Sequence, residues 1–244
     1  MDNAKKFASI FEGLSSAYIT MAPKGQNDAG KNEGAYETKR VPLDQKKYAA
    51  HCNGECSLGI FLLNEKSMVK FGCIDVDQYP LDHKKIIDYL AEKKLPLIVD
   101  RSKSGGAHVY LFSSEWMEAA KMRKTLRMIA AAMGLGGTEI FPKQDTISVD
   151  RGDVGSAINL PYFGYEDSLR HAFNPDGSAA TLAEFFKLYK KNLQTPEQIE
   201  AFSVVEKKAF MKDGPPCLQV LLPKKISEGG RNNGLFYNGG YLPK

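Results

Sequence analysis

Apolar residues recur along this chain at two spacings, alternating in some stretches and at helical intervals in others. Met68 to Val76 is mostly apolar, β-branched or aromatic and follows the turn-like Asn64-Glu65-Lys66-Ser67, which predicts a strand in the middle of a sheet. Ser57 to Leu63 predicts a strand before it, joined to it as a hairpin through residues 64–67. Phe7, Ile10, Phe11 and Leu14 stand at helical spacing and predict a helix over 4–19. Ala22 to Glu37, rich in Gly, Lys, Asn and Asp, has no period and reads as a loop. A helix over 43–51 enters through Pro42.

Further on, residues 80–94 form an amphipathic pattern with Ile86, Ile87 and Leu90 inward. Strands are predicted over 97–101 and 107–112, with Ala107, Val109 and Leu111 on one face and His108, Tyr110 and Phe112 on the other. A long helix follows over 115–133, ended by Gly134 and the Gly136-Gly137 pair. Thr138–Pro142 and Ser156–Pro161 predict two short strands, and 181–191 and 196–211 predict helices. This mixture implies an α+β fold, with a first unit over 1–178 and a helical, basic region over 179–244.

Composition narrows the class without naming a function. The chain has 244 residues, 43% of them hydrophobic and 25% charged, as in ordinary globular proteins. It has no apolar run of the roughly 20 residues that span a bilayer and no secretory leader at Met1–Phe7, so a cytoplasmic location is expected. A net charge of +4 permits nucleic-acid binding without requiring it. Cysteines at 52, 56, 73 and 217 show no disulfide framework. His51-Cys52 and Cys56 make half a zinc site, but no second Cys/His pair follows at finger-like spacing.

Chemistry enters with Asp75 and Asp77. Strand alternation sets both on one face of an apolar strand, where they repel each other and lose hydration unless cations intervene. A pair of divalent ions is the usual solution, and it carries phosphoryl and nucleotidyl transfer. A strand end fraying into solvent is the structural alternative. Asp100-Arg101-Ser102-Lys103-Ser104-Gly105-Gly106-Ala107-His108 makes a tight turn whose N–H groups and cations suit a polyphosphate, or simply a surface hairpin. Glu139, alternating with Phe141, offers a third carboxylate, with Lys143 placed toward phosphate; Asp145, Asp150 and Asp153 remain competitors. Asn159 is polar within an apolar strand.

The order of these signals resembles the archaeo-eukaryotic primase superfamily, most nearly the primase-polymerase domains of phage replication proteins and related mobile-element or conflict systems. Asp75 and Asp77 match its first motif, His108 after a small-residue turn its second, and Glu139 before Phe141-Pro142-Lys143-Gln144 its third. His51-Cys52-Asn53-Gly54 with Leu58–Phe61, and Ile158–Pro161, resemble its flanking segments, so the likeness covers roughly residues 40–165. Many members carry Ser two residues before the His; here that position is Gly106.

The resemblance implies an RRM-like antiparallel-sheet catalytic core with an additional N-terminal α/β module. It implies a DNA primase or primase-polymerase acting on a single-stranded DNA template. Asp75, Asp77 and Glu139 would hold two Mg²⁺ or Mn²⁺ ions; His108, Arg101, Lys103, Ser104, Lys143 and Asn159 would grip an NTP or dNTP. Lysines of 22–40, and Lys187, Lys190, Lys191, Lys207, Lys208 and Lys212, are candidates for the template track. Gly230–Phe236 resembles a segment found after the catalytic domain in phage primase-helicases, which implies a helicase domain or protein as a further partner. Two rivals remain: a metal-dependent nuclease or replication initiator, which lacks its usual His-x-His here, and a non-catalytic RRM-like module stacking bases on Tyr110 and Phe112.

Overall fold

The computed structural model describes residues 3–26, 32–165 and 168–205. In chain order the elements are α1 (Asn3–Ile10), β1 (Tyr18–Gln26), β2 (Asn32–Lys39), α2 (Gln45–Cys52), β3 (Ser57–Phe61), β4 (Met68–Val76) and α3 (His83–Glu92). They continue with β5 (Ile98–Arg101), β6 (Ala107–Glu118), α4 (Ala119–Ala132), β7 (Glu139–Phe141), β8 (Ala157–Asn159), α5 (Leu182–Asn192) and α6 (Pro196–Val205). The strands form two antiparallel four-stranded sheets, ordered β2-β1-β3-β8 and β5-β6-β4-β7. The protein is thus a mixed α/β fold, and β4 is a central strand, as its apolar run predicts.

Four local expectations are corrected. Within the stretch read as a loop, residues 22–26 and 32–37 are strand: β1 and β2 pair from Tyr18↔Lys39 to Gln26↔Asn32, because an edge ribbon is held by backbone pairing and needs no apolar alternation. The first helix stops at Ile10, since the chain then runs against β3: Leu14 N donates to Phe61 O at 2.9 Å. A side chain at Gly13 would stand 2.0 Å from Phe61 O, so only glycine allows that approach. Residues 64–67 do not close a hairpin, for β3 pairs with β1 and β8 while β4 pairs with β6 and β7. The turn carries the chain between sheets, with the Asn64 side chain accepting from Lys66 N and Met68 N, each at 2.9 Å. Finally, β6 runs on to Glu118, where it pairs with Met68, so the helix after it starts only at Ala119.

The β5-β6-β4-β7 sheet is covered on both faces. On one, Met122 and Leu126 of α4 are buried against the small-residue stretch at Gly72. On the other lies an aromatic cluster. Phe11 stands 5.3, 5.6 and 5.7 Å from the rings of Phe71, Tyr110 and Phe112, and it stacks on Phe185 of α5 at 5.9 Å. Tyr110 and Phe112 are therefore 0% and 1% exposed, and they cannot serve as an open platform for bases. α5 is held at its start by a capping box between Thr181 and Glu184. Its Leu182, Phe185 and Phe186 belong to the same core as the sheets.

His51 is consumed in this architecture. Its Nδ1 accepts from Leu58 N at 2.9 Å, and its Nε2 is 2.7 Å from Pro161 O, so it ties α2 to β3 and to the segment after β8. With both nitrogens engaged it has none for zinc. Burial pushes its pKa down to about 4, so the folded state needs it neutral. That stabilisation is complete above the ordinary histidine value near 6.5 and is lost as the pH falls through about 4. We expect His51→Gln to lower the thermal midpoint at pH 7, with the gap to wild type closing between pH 6.5 and about 4 in a thermal-melt series; a gap independent of pH would contradict this role.

Candidate functional site

Strand register builds the site. β4 pairs with β6 so that Asp75 faces His108, with β7 so that Asp75 faces Glu139, and β5 pairs with β6 so that Asp100 faces His108. Directly opposed residues of antiparallel strands share a face, so Asp100, His108, Asp75 and Glu139 form one row across four strands. Asp77, two residues beyond Asp75, leaves the strand end on that same face. The three acids predicted to converge thus come from β4 and β7 to one side of the sheet.

The row is electrostatically tense. Burial, then the charges of Asp77 and Glu139, push the Asp75 carboxyl up to about 6, while Lys143 works against them. His108 is driven down to about 4, chiefly by burial, and is neutral at pH 7. Its Nε2 lies 3.5 Å from Asp75 Oδ1, and its Nδ1 shares a hydrogen bond of 3.2 Å with the Tyr110 hydroxyl. Asp100 is 1% exposed, neither of its oxygens has a partner, and burial raises its pKa far above the usual carboxylate range.

The remaining predicted residues divide between the row and its surroundings. Lys143 pairs with Glu139 at 2.7 Å and lies over the Phe141 ring. Ser104 bonds to the Tyr79 hydroxyl, which in turn donates to Asp77 Oδ1 at 2.8 Å. Lys103 reaches across to the other sheet, donating to Met21 Sδ at 3.3 Å. Asn159 donates to the Tyr36 hydroxyl at 3.1 Å, and its own side-chain oxygen is buried and unpartnered. Arg101 alternates with Asp100 and so leaves the opposite face of β5, where its Nη1 donates to Leu169 O at 3.2 Å. The structure does not gather Arg101 with the acids.

Gly106 has a steric reason. A side chain there would stand 2.3 Å from Val76 O, so the backbone of β4 forbids serine at this position. Ser102 takes up the space instead: its Oγ lies 3.3 Å from where that Cβ would be, and its N–H donates to Gly106 O at 2.8 Å. Sequence reasoning also passed over Tyr79 and Arg170. Tyr79 had a signal, an aromatic two residues after Asp77; Arg170 had none short of the fold.

Whether the acids suit metal ions is a question of donors and of convergence. Three carboxylates on one face are the oxygen donors that Mg²⁺ and Mn²⁺ prefer, and the raised Asp75 value reflects burial first and then two acid neighbours that Lys143 offsets only in part. Among the described residues, however, no three Asp, Glu, His or Cys side chains already converge as a metal-binding group. Glu139 is turned to Lys143 and Asp77 to Tyr79, so the donors fit in kind, and closing the set requires those two carboxylates to be released.

Of the proposed template residues, Lys187, Lys190 and Lys191 are exposed on α5, whose apolar side packs at the Phe112 end of the sheet, away from the row. Lys39 pairs with Glu37. The side chains of Lys24 and Lys31, together with Lys207, Lys208, Lys212 and Gly230–Phe236, lie outside the described residues. No helix among the described residues is long and apolar enough to cross a membrane.

No curated protein matches the chain. The family model described as "TOTE conflict system, Archaeo-Eukaryotic Primase domain" matches residues 6–200, which takes in the acid row, both sheets and α5. With that match laid over most of its length, the chain belongs to the archaeo-eukaryotic primase family.

Proposed function

We propose that the protein is a DNA-directed nucleotidyltransferase, a primase or primase-polymerase, that joins nucleoside triphosphates on a single-stranded DNA template. The observation that carries this reading is the row itself. Asp75 and Glu139 are cross-strand neighbours on one sheet face, with Asp77 beyond them and neutral His108 on the other side of Asp75. A nucleic-acid-binding sheet without catalysis has no use for three acids there, since they repel phosphate. Its aromatics are also buried.

In this reading Asp75, Asp77 and Glu139 would hold two Mg²⁺ or Mn²⁺ ions. Such ions, when bound, make a 3′-hydroxyl more acidic and neutralise the triphosphate and departing pyrophosphate. The hydroxyl oxygen bonds to the α-phosphorus as the bond to pyrophosphate breaks, and the hydroxyl proton leaves to solvent. His108, neutral and anchored to Tyr110, presents its ring beside Asp75 as a hydrogen-bonding group for a phosphate oxygen. Lys143, paired with Glu139, would meet the growing phosphate charge, with Lys103 and Ser104 in the turn that leads to His108. Tyr79 orients Asp77 through its hydroxyl. Asn159 lies on the facing sheet, where its unpartnered oxygen can take a donor from the nucleotide. The template follows exposed lysines, with those of α5 as one candidate stretch. A helicase domain or protein is a further partner, and the cytoplasm of a bacterial or phage-infected cell is the setting.

Synthesis from labelled NTPs and dNTPs on primer-free single-stranded DNA, with Mg²⁺ and with Mn²⁺, tests the reading. We expect product in the wild type. Asp75→Ala and Asp77→Ala should each lower the rate by about 10³-fold or more with unchanged circular dichroism. Full activity in either variant removes the metal assignment. Template affinity, followed by fluorescence anisotropy, should fall by roughly a hundredfold between ~50 and ~200 mM salt, because phosphate contacts dominate. A flat response contradicts a lysine-lined track.

A further inference from the structure

The acid row occupies one end of β4, and a cavity of about 480 Å³ opens at the other. Asp75 pairs with His108, whereas Met68, at the start of the strand, pairs with Glu118. The strand between them spans roughly 20 Å at about 3.3 Å per residue. Segments distant in the chain wall the cavity: α1 and the turn after it, the entry of α2, the crossing at Asn64 and Glu65, and Trp116 of β6. None of them takes part in the acid row.

The lining combines anions with an aromatic face. Glu12, Asp44 and Glu65 contribute three carboxylates, against one lysine, Lys5. Burial works against the Glu65 charge, yet the Ser15 hydroxyl and N–H, at 2.6 and 3.3 Å, hold its pKa below the usual carboxylate range. Asp44 is fixed as the N-cap of α2, where its Oδ1 accepts from Lys47 N at 3.1 Å. Glu12 and Trp116 already hold a cation of the chain itself. The Lys70 ammonium lies 3.0 Å from Glu12 Oε2 and 5.4 Å from the centre of the Trp116 ring. Beside that clamp, Ala8, Leu14 and Leu43 give the cavity an apolar wall.

These features select a chemistry. Three carboxylates repel a phosphate group. A hydrated metal ion gains nothing from an indole or an aliphatic wall. A guanidinium or ammonium on an alkyl stem uses every part, since its stem covers apolar surface while its head keeps to the acids and the ring. We propose that this cavity binds an organic cation of that kind, as carried by an arginine or lysine side chain or by a free alkylamine. The stem lies along Ala8 and Leu43, and the head meets Glu65 and Asp44 beside Trp116, as Lys70 meets Glu12. The site stands or falls independently of nucleotide transfer at the row.

Trp116 is the single tryptophan of the chain, so its emission reports on this cavity alone. Titration of the full chain with agmatine, and with an acetylated and amidated Gly-Arg-Gly peptide, is read by that emission and by calorimetry. The same peptide with citrulline in place of arginine is the uncharged control. We expect saturable binding of a charged probe below roughly 10 mM and none of the citrulline peptide. Glu65→Gln and Asp44→Asn remove charge while keeping an acceptor for Ser15 and for Lys47 N. Each should weaken binding about threefold, and the two together roughly tenfold. Trp116→Leu, followed by calorimetry, should cost a similar factor. Asp75→Ala should bind as the wild type does. Tighter binding of the peptide than of agmatine assigns the site to a polypeptide side chain, and the reverse assigns it to a free amine. No saturable binding of either probe, equal binding of the citrulline peptide, or unchanged affinity in the double variant overturns the proposal.

Discussion

Backbone pairing at the centre of one sheet is the constraint on which the rest depends. β4 is hydrogen-bonded on both sides, to β6 and to β7, and the two registers meet at Asp75. A slip of one residue between β4 and β7 would send Glu139 to the helix-covered face, and a slip against β6 would do the same to His108. The register is fixed from below by packing. Phe71, Tyr110 and Phe112 lie on the same face as the row and lock against Phe11 and Phe185. Moving any of them by one position would expose a ring and bury a polar group. An apolar cluster thus sets the position of a polar site several residues away.

Burial then decides the charge states. Of the four groups in the row, Asp100 is fully enclosed and its carboxyl is pushed well above the usual carboxylate range, His108 is neutral at pH 7, and Asp75 titrates near 6. Only the outer acids, Asp77 and Glu139, are exposed, and each is held by a neighbour: a tyrosine hydroxyl for one and a lysine for the other. Negative charge is thus concentrated at the outer end of the row and suppressed at its inner end. Arg170, buried near the same sheet, adds a positive charge felt by His108 and Tyr110.

Much of this was legible in the chain, for particular reasons. Asp75 and Asp77 stand in an apolar strand, where period two alone puts them on one face, and Glu139 sits one residue from buried Ile140 in a short strand. His108 follows a turn whose glycines announce it. The hairpin of β1 and β2 was hidden because edge strands carry Gly, Lys and Asn, the residues that also make loops. The crossing at 64–67 was misread as a hairpin because a turn between two strands does not say which sheet each joins. Arg101 drew attention by its nearness to the turn, yet its guanidinium leaves the opposite face of β5, and the 172–100 bridge is a contact between distant segments that no local pattern records. The stacking of Phe185 of α5 on Phe11 is another contact between distant segments that local spacing does not record.

The proposed nucleotidyl transfer turns on the carboxylates of Asp75, Asp77 and Glu139 meeting around a cation pair next to a bound triphosphate. A crystal structure of the protein with Mn²⁺ and a non-hydrolysable nucleoside triphosphate measures this directly. The expected result is anomalous density for manganese ligated by Asp75, Asp77 and Glu139, with Glu139 swung away from Lys143. Manganese bound elsewhere, or a nucleotide seated with Glu139 still paired to Lys143 and no ion between the acids, would contradict it.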